Sequence, residues 1–215
     1  MAKPARIVLV TGFEPFGGDR YNPSQVIAES LHGRRVRGRR VHGAVLPCVF
    51  GDSLRCLESL LTTVNPELIV CLGLASARAA ITPERVAINL DDARIPDNAG
   101  RQPIDQPIVA AGPAAYWSTL PVKAIVAELS ARKLPAAVSQ SAGTFVCNHV
   151  FYGLMDLLAR PEHQGRLGGF IHVPAAARNG RGWRAPRRLT EGIAGAIETA
   201  LRVRRDLAAV GGAIA

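Results

Sequence analysis

The sequence predicts a single-domain α/β fold of three layers, in which a central, mostly parallel twisted sheet carries helices on both faces. Three observations support this. Continuous apolar runs, RIVLVT at 6–11, ELIVCL at 67–72 and GFIHV at 169–173, have the composition of strands buried on both sides. The first two stop at glycines, Gly12 and Gly73, as buried strands do before a loop at their carboxyl ends. Between them the pattern runs strand, helix, strand, helix, strand, the order of a parallel sheet packed on both faces. The 215 residues suffice for one sizeable core, so one domain over 1–215 is expected, with about 208–215 a flexible tail of small residues.

In order, the first strand (6–11) opens into the loop GFEPFGGDRYNPS, which holds Phe13 and Phe16 among turn-forming residues. Asn22 is placed to cap a helix over Pro23–Leu31, with Pro23 at its first position. Arg40–Leu46 reads as the second strand and Ser53–Leu61 as an amphipathic helix, before the third strand over Glu67–Leu72. From Leu74 to Pro113 the alternation fails. This stretch is dense in Pro, Asp, Asn and Gly, with a strand-like Glu84–Leu90, and such length without periodicity marks a functional region or an interface. A helix over Pro121–Lys133, a short strand Ala136–Ser139, a helix from about Phe145 to Ala159, the last strand Gly169–Val173 and a helix from about Pro186 to Leu207 complete the chain.

The formal net charge is +9, and arginines cluster at 34, 35, 37, 39 and 40 and again at 178, 181, 184, 187 and 188. No aromatic residues interleave with the first cluster to stack bases, and no nucleic-acid module is present, so a solvated basic surface is expected rather than specific nucleic-acid binding. No apolar run has the length of a membrane span. Cys48, Cys56, Cys71 and Cys147 form no CxxC pair, and the chain opens without a signal peptide. A cytoplasmic protein with free thiols is the expectation.

The stretch SAGTFVCNHVFY, Ser141–Tyr152, runs from a small-residue turn into a helix and sets Cys147 near the first helical turn. Unpaired N–H groups and the helix dipole there favour a thiolate, which predicts a thiol that ionises more easily than a free one. A nucleophile needs a base. His149, two residues on, faces away from Cys147 on a helix, while His32 and His163 sit at a helix end and in a polar loop. His172 ends an apolar strand on the sheet edge where the Gly143 loop delivers Cys147, and is the candidate base. A carboxylate commonly completes such a pair, and spacing leaves Glu84, Asp91, Asp92 and Asp97 open.

Five motifs in register, TGFEPFGG (11–18), NPS (22–24), ITPERVAINLDDARIPDN (81–98), SAGTFVCNHVFYGLM (141–155) and GFIHVP (169–174), resemble pyroglutamyl peptidase I, also called pyrrolidone carboxyl peptidase, over nearly the whole chain. The resemblance implies a cytoplasmic cysteine peptidase with Cys147 as nucleophile, His172 as base and Glu84 as third member. It implies that Phe13 and Phe16 pack around a pyrrolidone ring, and that Asn22 and Arg94 lie near the site. It further implies peptides blocked by N-terminal pyroglutamate as partners, a homo-oligomer of two or four chains, and no metal or cofactor. The sequence departs from many bacterial members after the third strand, where Leu74 replaces a Gln that hydrogen-bonds the ring. The nearest alternative enzyme is an amidotransferase-type Cys–His–Glu amide hydrolase, whose nucleophile elbow needs a downstream Gly that Asn148-His149 lacks. The alternative of another class is a non-catalytic binding protein.

Overall fold

A computed structural model describes residues 6–175 and 187–212. Arg178, Arg181 and Arg184 of the second arginine cluster, and Pro186 at the expected start of the last helix, lie outside the described residues.

The first part alternates as the pattern predicts: β1 (Ile7–Phe13), α1 (Pro23–Leu31), β2 (Arg35–Val36), β3 (Arg39–Leu46), α2 (Asp52–Val64) and β4 (Leu68–Leu74). The irregular region holds β5 (Thr82–Pro83), β6 (Val86–Ile88) and β7 (Ala115–Trp117). Then come α3 (Val122–Ala131), α4 (Val146–Ala159), a 3₁₀ turn at Pro161–His163, β8 (Leu167–Val173) and α5 (Arg187–Arg202). Six strands form one sheet in the order β2-β3-β1-β4-β8-β5, and β6 and β7 form a separate antiparallel pair. The four central strands are parallel, while β2 and β5 run antiparallel at the edges.

The apolar faces of the helices explain the layers. α1, α3 and α5 send Ile27, Leu31, Ile125, Leu129, Ile193 and Ile197 onto one side of the sheet, against Val8, Val10, Val70 and Ile171. α2 and α4 send Leu57, Leu61, Val150, Phe151 and Leu154 onto the other, against Leu9, Ile69 and Phe170. Each fully buried large side chain contributes about 1.5–3 kcal/mol. α1 starts where its cap predicts: the Asn22 side chain accepts from the Ser24 N–H, and Pro23 occupies the first turn. It also packs tightly on β1, because a Cβ on Gly12 would lie 2.2 Å from the Ser24 carbonyl oxygen.

Two expected strands come out differently. The strand-like Glu84–Leu90 is divided, since the Glu84 N–H bonds the Phe170 carbonyl on β8 whereas the Arg85 N–H bonds the Ser139 carbonyl. At that change of partner the chain leaves the main sheet, and Val86–Ile88 pairs instead with Ala115–Trp117. Ala136–Ser139 makes only isolated parallel bridges, Ile81 with Ala136 and Glu84 with Ser139, because Pro83 between them has no N–H to donate and interrupts the ladder. The irregular region is nevertheless anchored. The Asn148 amide on α4 accepts from the Ile88 N–H at 3.1 Å and donates to the Ile88 and Leu90 carbonyls at 2.9 Å each.

Candidate active site

β1 connects to β3 on one side through α1, and β3 returns past β1 to β4 through α2 on the opposite face. The winding reverses there, and the carboxyl ends of β1 and β4 border the crevice where open α/β sheets hold ligands. Phe13 ends β1, and Gly73 lies next to the end of β4.

Cys147 is the second residue of α4, after the N-cap Phe145 and Val146. Its sulfur lies over Gly73: a Cβ built there would be 2.8 Å from Sγ and 2.7 Å from the Phe170 ring. The glycine therefore creates the space that the sulfur fills. In the parallel register Gly73 pairs with His172 on β8. Register partners project to the same face of a sheet, so His172 stands beside the spot that the sulfur covers. Its ring packs against Phe170 with centroids 4.9 Å apart. No hydrogen bond joins the sulfur and the imidazole among the described residues.

Glu84 completes the arrangement. Its side chain is fully buried, and Oε1 lies 2.8 Å from His172 Nδ1. An ionised carboxylate only accepts, so the imidazole proton sits on Nδ1 and leaves the Nε2 lone pair free. The same oxygen accepts from Arg78 Nη1 at 2.6 Å, while Oε2 is buried without a partner among the described residues. Arg78 also donates to Thr82 Oγ1 at 2.8 Å and, through Nη2, to the Ser141 carbonyl at 2.8 Å. One guanidinium thus ties the carboxylate to the loop that leads into Cys147.

The other carboxylates left open by spacing have structural partners. Asp91 Oδ2 lies 2.8 Å from His149 Nδ1. The Nε2 atom of His149 accepts from the Gly51 N–H at 3.0 Å, which fixes its proton on Nδ1 and commits both nitrogens. Asp97 accepts from the N–H groups of Phe50, Ala99 and Arg101. Asp92 is exposed, with its backbone held to Thr144.

Of the residues expected around the substrate, Phe13 is 2% exposed, and its ring packs on Phe170 beneath the site, with centroids 6.3 Å apart. Phe16 is half-buried and meets Phe145, at 5.9 Å, at the start of α4. Asn22 is buried, and its amide is engaged with Ser24 and with the Glu14 carbonyl. Arg94 is exposed and has no polar partner among the described residues. Sequence reasoning missed Arg78 and Phe145. Arg78 sits in an aperiodic loop, and its only sequence signal is a cation six residues before Glu84; Phe145 looked like an ordinary first residue of its helix.

The expectation of an easily ionised Cys147 is reversed. Burial pushes its thiol well above the ordinary value of 9.0, nearby Cys48 and Glu84 push in the same direction, and Arg78 opposes them. Cys48 and Cys71 are likewise raised to about 12, chiefly by burial. Among the described residues no group of three or more His, Cys, Asp or Glu is placed to hold a metal ion, and no helix is long and apolar enough to cross a membrane.

The family model of pyroglutamyl peptidase matches residues 6–186. The pyrrolidone-carboxylate peptidase of Bacillus cytotoxicus is 50% identical over 212 residues, covering 96% of this chain and 98% of its own length. Pyrrolidone-carboxylate peptidase 1 of Ralstonia nicotianae is 52% identical over 210 residues, 95% of this chain and 97% of its own. The fold superposes on the crystal structure of pyroglutamyl peptidase I from Bacillus amyloliquefaciens with a TM-score of 0.89 at 42% identity, over 96% of this chain and 100% of that one. With pyrrolidone carboxyl peptidase from Thermococcus litoralis the TM-score is 0.85 at 37% identity, over 92% and 94% of the two chains. Matches of this extent, on a chain whose strand ends gather a cysteine, a histidine and a buried glutamate, show that the protein belongs to the pyroglutamyl peptidase family.

Proposed function

We propose that the protein removes an N-terminal 5-oxoprolyl residue from peptides through a thioacyl-enzyme, with Cys147 as nucleophile, His172 as general base and acid, and Glu84 as the group that orients His172. The observation carrying this reading is the Glu84–His172 contact of 2.8 Å beside Gly73, whose missing side chain leaves room for the Cys147 sulfur. Because the thiol is held protonated by burial, its proton moves to His172 Nε2 as the sulfur attacks the carbonyl joining the ring to the next residue. The resulting imidazolium is stabilised by Glu84, which Arg78 keeps in place. His172 then returns the proton to the departing amine, and water, deprotonated by the same base, hydrolyses the thioester. No cofactor enters the scheme.

The Phe145 side chain makes no cap hydrogen bond to the N-terminus of α4. The N–H groups of that first turn are therefore suited to the developing oxyanion. The substrate ring is a flat neutral lactam that lacks an ammonium group. We assign Phe16 and Phe145, the half-buried aromatic pair at the start of α4, to its apolar slot, and place Phe13 beneath it as support. The free thiols of all four cysteines fit a reducing cytoplasm. An assembly of two or four chains belongs to the same reading, with Trp117 and Ile104, each 70% exposed, on its contact surface.

The decisive experiment is Cys147→Ser assayed for pyroglutamate release from a chromogenic blocked substrate. Turnover is expected to vanish with an unchanged circular dichroism spectrum; retained turnover sinks the nucleophile assignment.

A further inference from the structure

The chain continues beyond α5 without helix or strand, yet residues 203–212 make specific contacts. Asp206 caps α3 from a distance: its Oδ2 accepts from the Lys123 N–H at 3.0 Å and its Oδ1 from the Ala124 N–H at 2.9 Å. α3 has no cap of its own, since its N-cap is Pro121. Past this clamp the Ala209 carbonyl accepts from Lys123 Nζ. The Gly211 carbonyl then accepts from two side chains, Arg85 Nη2 at 2.8 Å and Gln140 Nε2 at 3.3 Å.

Those two residues adjoin the site in sequence. Arg85 follows Glu84, and Gln140 precedes Ser141, whose carbonyl Arg78 holds. Between them the backbones are joined by the Arg85 N–H to Ser139 carbonyl bond at 2.9 Å and the Ser139 N–H to Pro83 carbonyl bond at 3.0 Å. This junction is short, for β5 is two residues long and 136–139 forms only isolated bridges. A short edge without a continuous ladder opens easily, and Glu84 sits on it.

We propose that residues 203–212 act as a positioning strap: anchored by Asp206 on α3, the segment uses the Gly211 carbonyl to hold the Glu84–Arg85 edge against the Gln140–Ser141 loop, fixing the carboxylate on His172. The inference rests on the reading of Glu84 as the group that orients the base. Misplacement of such a group by a fraction of an ångström lowers turnover while leaving substrate contacts intact.

The test is a chain ending at Val210, together with Arg85→Met in the full chain, which removes the same bond from the other side and does not depend on how the shortened chain folds. Both are assayed for kcat and KM on a chromogenic pyroglutamyl substrate, in the wild-type and the Glu84→Gln backgrounds. For each, kcat is expected to fall about fivefold with KM within about twofold, and the loss is expected to disappear in the Glu84→Gln background, where no carboxylate remains to position. Unchanged kcat in both chains overturns the strap. So does an equal loss in the Glu84→Gln background, which would mark a general loosening. A Glu84→Gln chain with wild-type turnover overturns the reading beneath the strap, and is recognised without reference to the other two chains.

Discussion

Gly73→Ala tests the geometry of the site more sharply than removal of any catalytic group. The new Cβ would lie 2.8 Å from the Cys147 sulfur and 2.7 and 2.8 Å from two atoms of the Phe170 ring. Carbon atoms in contact prefer about 3.5–4.0 Å, so the sulfur has to withdraw by roughly 0.7–1.2 Å, or the strand has to yield. Phe170 has no space to give, because Phe13 and Phe151 pack on it with centroids 6.3 and 6.0 Å away. Overfilling a packed site costs about 1–3 kcal/mol of stability, and a nucleophile displaced by about 1 Å loses on the order of 100-fold in rate, equivalent to about 2.7 kcal/mol of activation free energy. The expected result is a drop in kcat of about 100-fold, with KM changed far less and a melting temperature lowered by several degrees. The measurements are steady-state release of pyroglutamate and a thermal melt. A Gly73→Ala protein with kcat within about threefold of wild type would refute the placement of the attacking sulfur over this glycine.

Three further predictions use the same contacts. Glu84→Gln should lower kcat on the order of 1000-fold by loosening the orientation of His172, whereas Asp91→Asn, which weakens the His149 contact, should lower the melting temperature and leave kcat within a few-fold; the reverse order in paired kinetics and melts would move the third role to Asp91. Phe13→Ala should cost about 3–5 kcal/mol of stability, as expected for a buried ring, while Phe16→Ala should chiefly raise KM; urea titrations and Michaelis curves for the two variants separate these outcomes, and equal stability losses would count against the assignment. Stability should also fall at alkaline pH. Cys48 and Cys71 are raised from 9.0 to about 12 in the fold, so above pH 9.0 the unfolded thiols lose protons that the folded ones keep. Their contribution is full below that pH and is lost as pH rises from 9.0 towards 12, by about 1.4 kcal/mol per pH unit for each fully buried thiol. Urea unfolding at pH 8, 9.5 and 10.5 measures the slope, Cys71→Ala should flatten it, and an identical slope in that variant would contradict the burial argument.

Much of the frame was legible because its causes are local. The runs at 6–11, 67–72 and 169–173 lie within β1, β4 and β8 or one residue outside them, and the Asn22-Pro23 signal starts α1 where it should. These elements follow from burial on both faces and from capping, both of which a short window contains. Spacing did not give the partners of Glu84, and its place beside His172 came only from the resemblance, since those partners depend on where the chain leaves one strand for another. A continuous Glu84–Leu90 strand would have carried Glu84 into the β6–β7 pair; the observed division at Arg85 leaves it against β8 and within reach of His172. Arg78 was hidden for the same reason. The direction of the Cys147 shift was not legible because its position on the helix is a sequence property, whereas the desolvation that raises its thiol is a tertiary one.

The site contains two histidine–carboxylate pairs of equal length, His149 with Asp91 and His172 with Glu84, both at 2.8 Å, and they differ in what supports the proposed role of the second. His149 is nearer to Cys147 in sequence, but the Gly51 N–H occupies its Nε2, so it has no lone pair to offer and instead ties α4 to the start of α2. His172 has no partner on Nε2 among the described residues, and stands beside the glycine over which the sulfur lies. Their carboxylates differ in the same sense. Among the described residues Asp91 has no cation within salt-bridge distance other than its histidine, whereas Glu84 is held by Arg78 as well. A carboxylate with its own counter-ion keeps its orientation when the imidazole gains and loses a proton, and the base of a two-step acyl transfer does so twice in every turnover. The distance between histidine and acid therefore does not separate the two pairs; a free second nitrogen and an independently anchored carboxylate are what support the proposed role of His172 and Glu84.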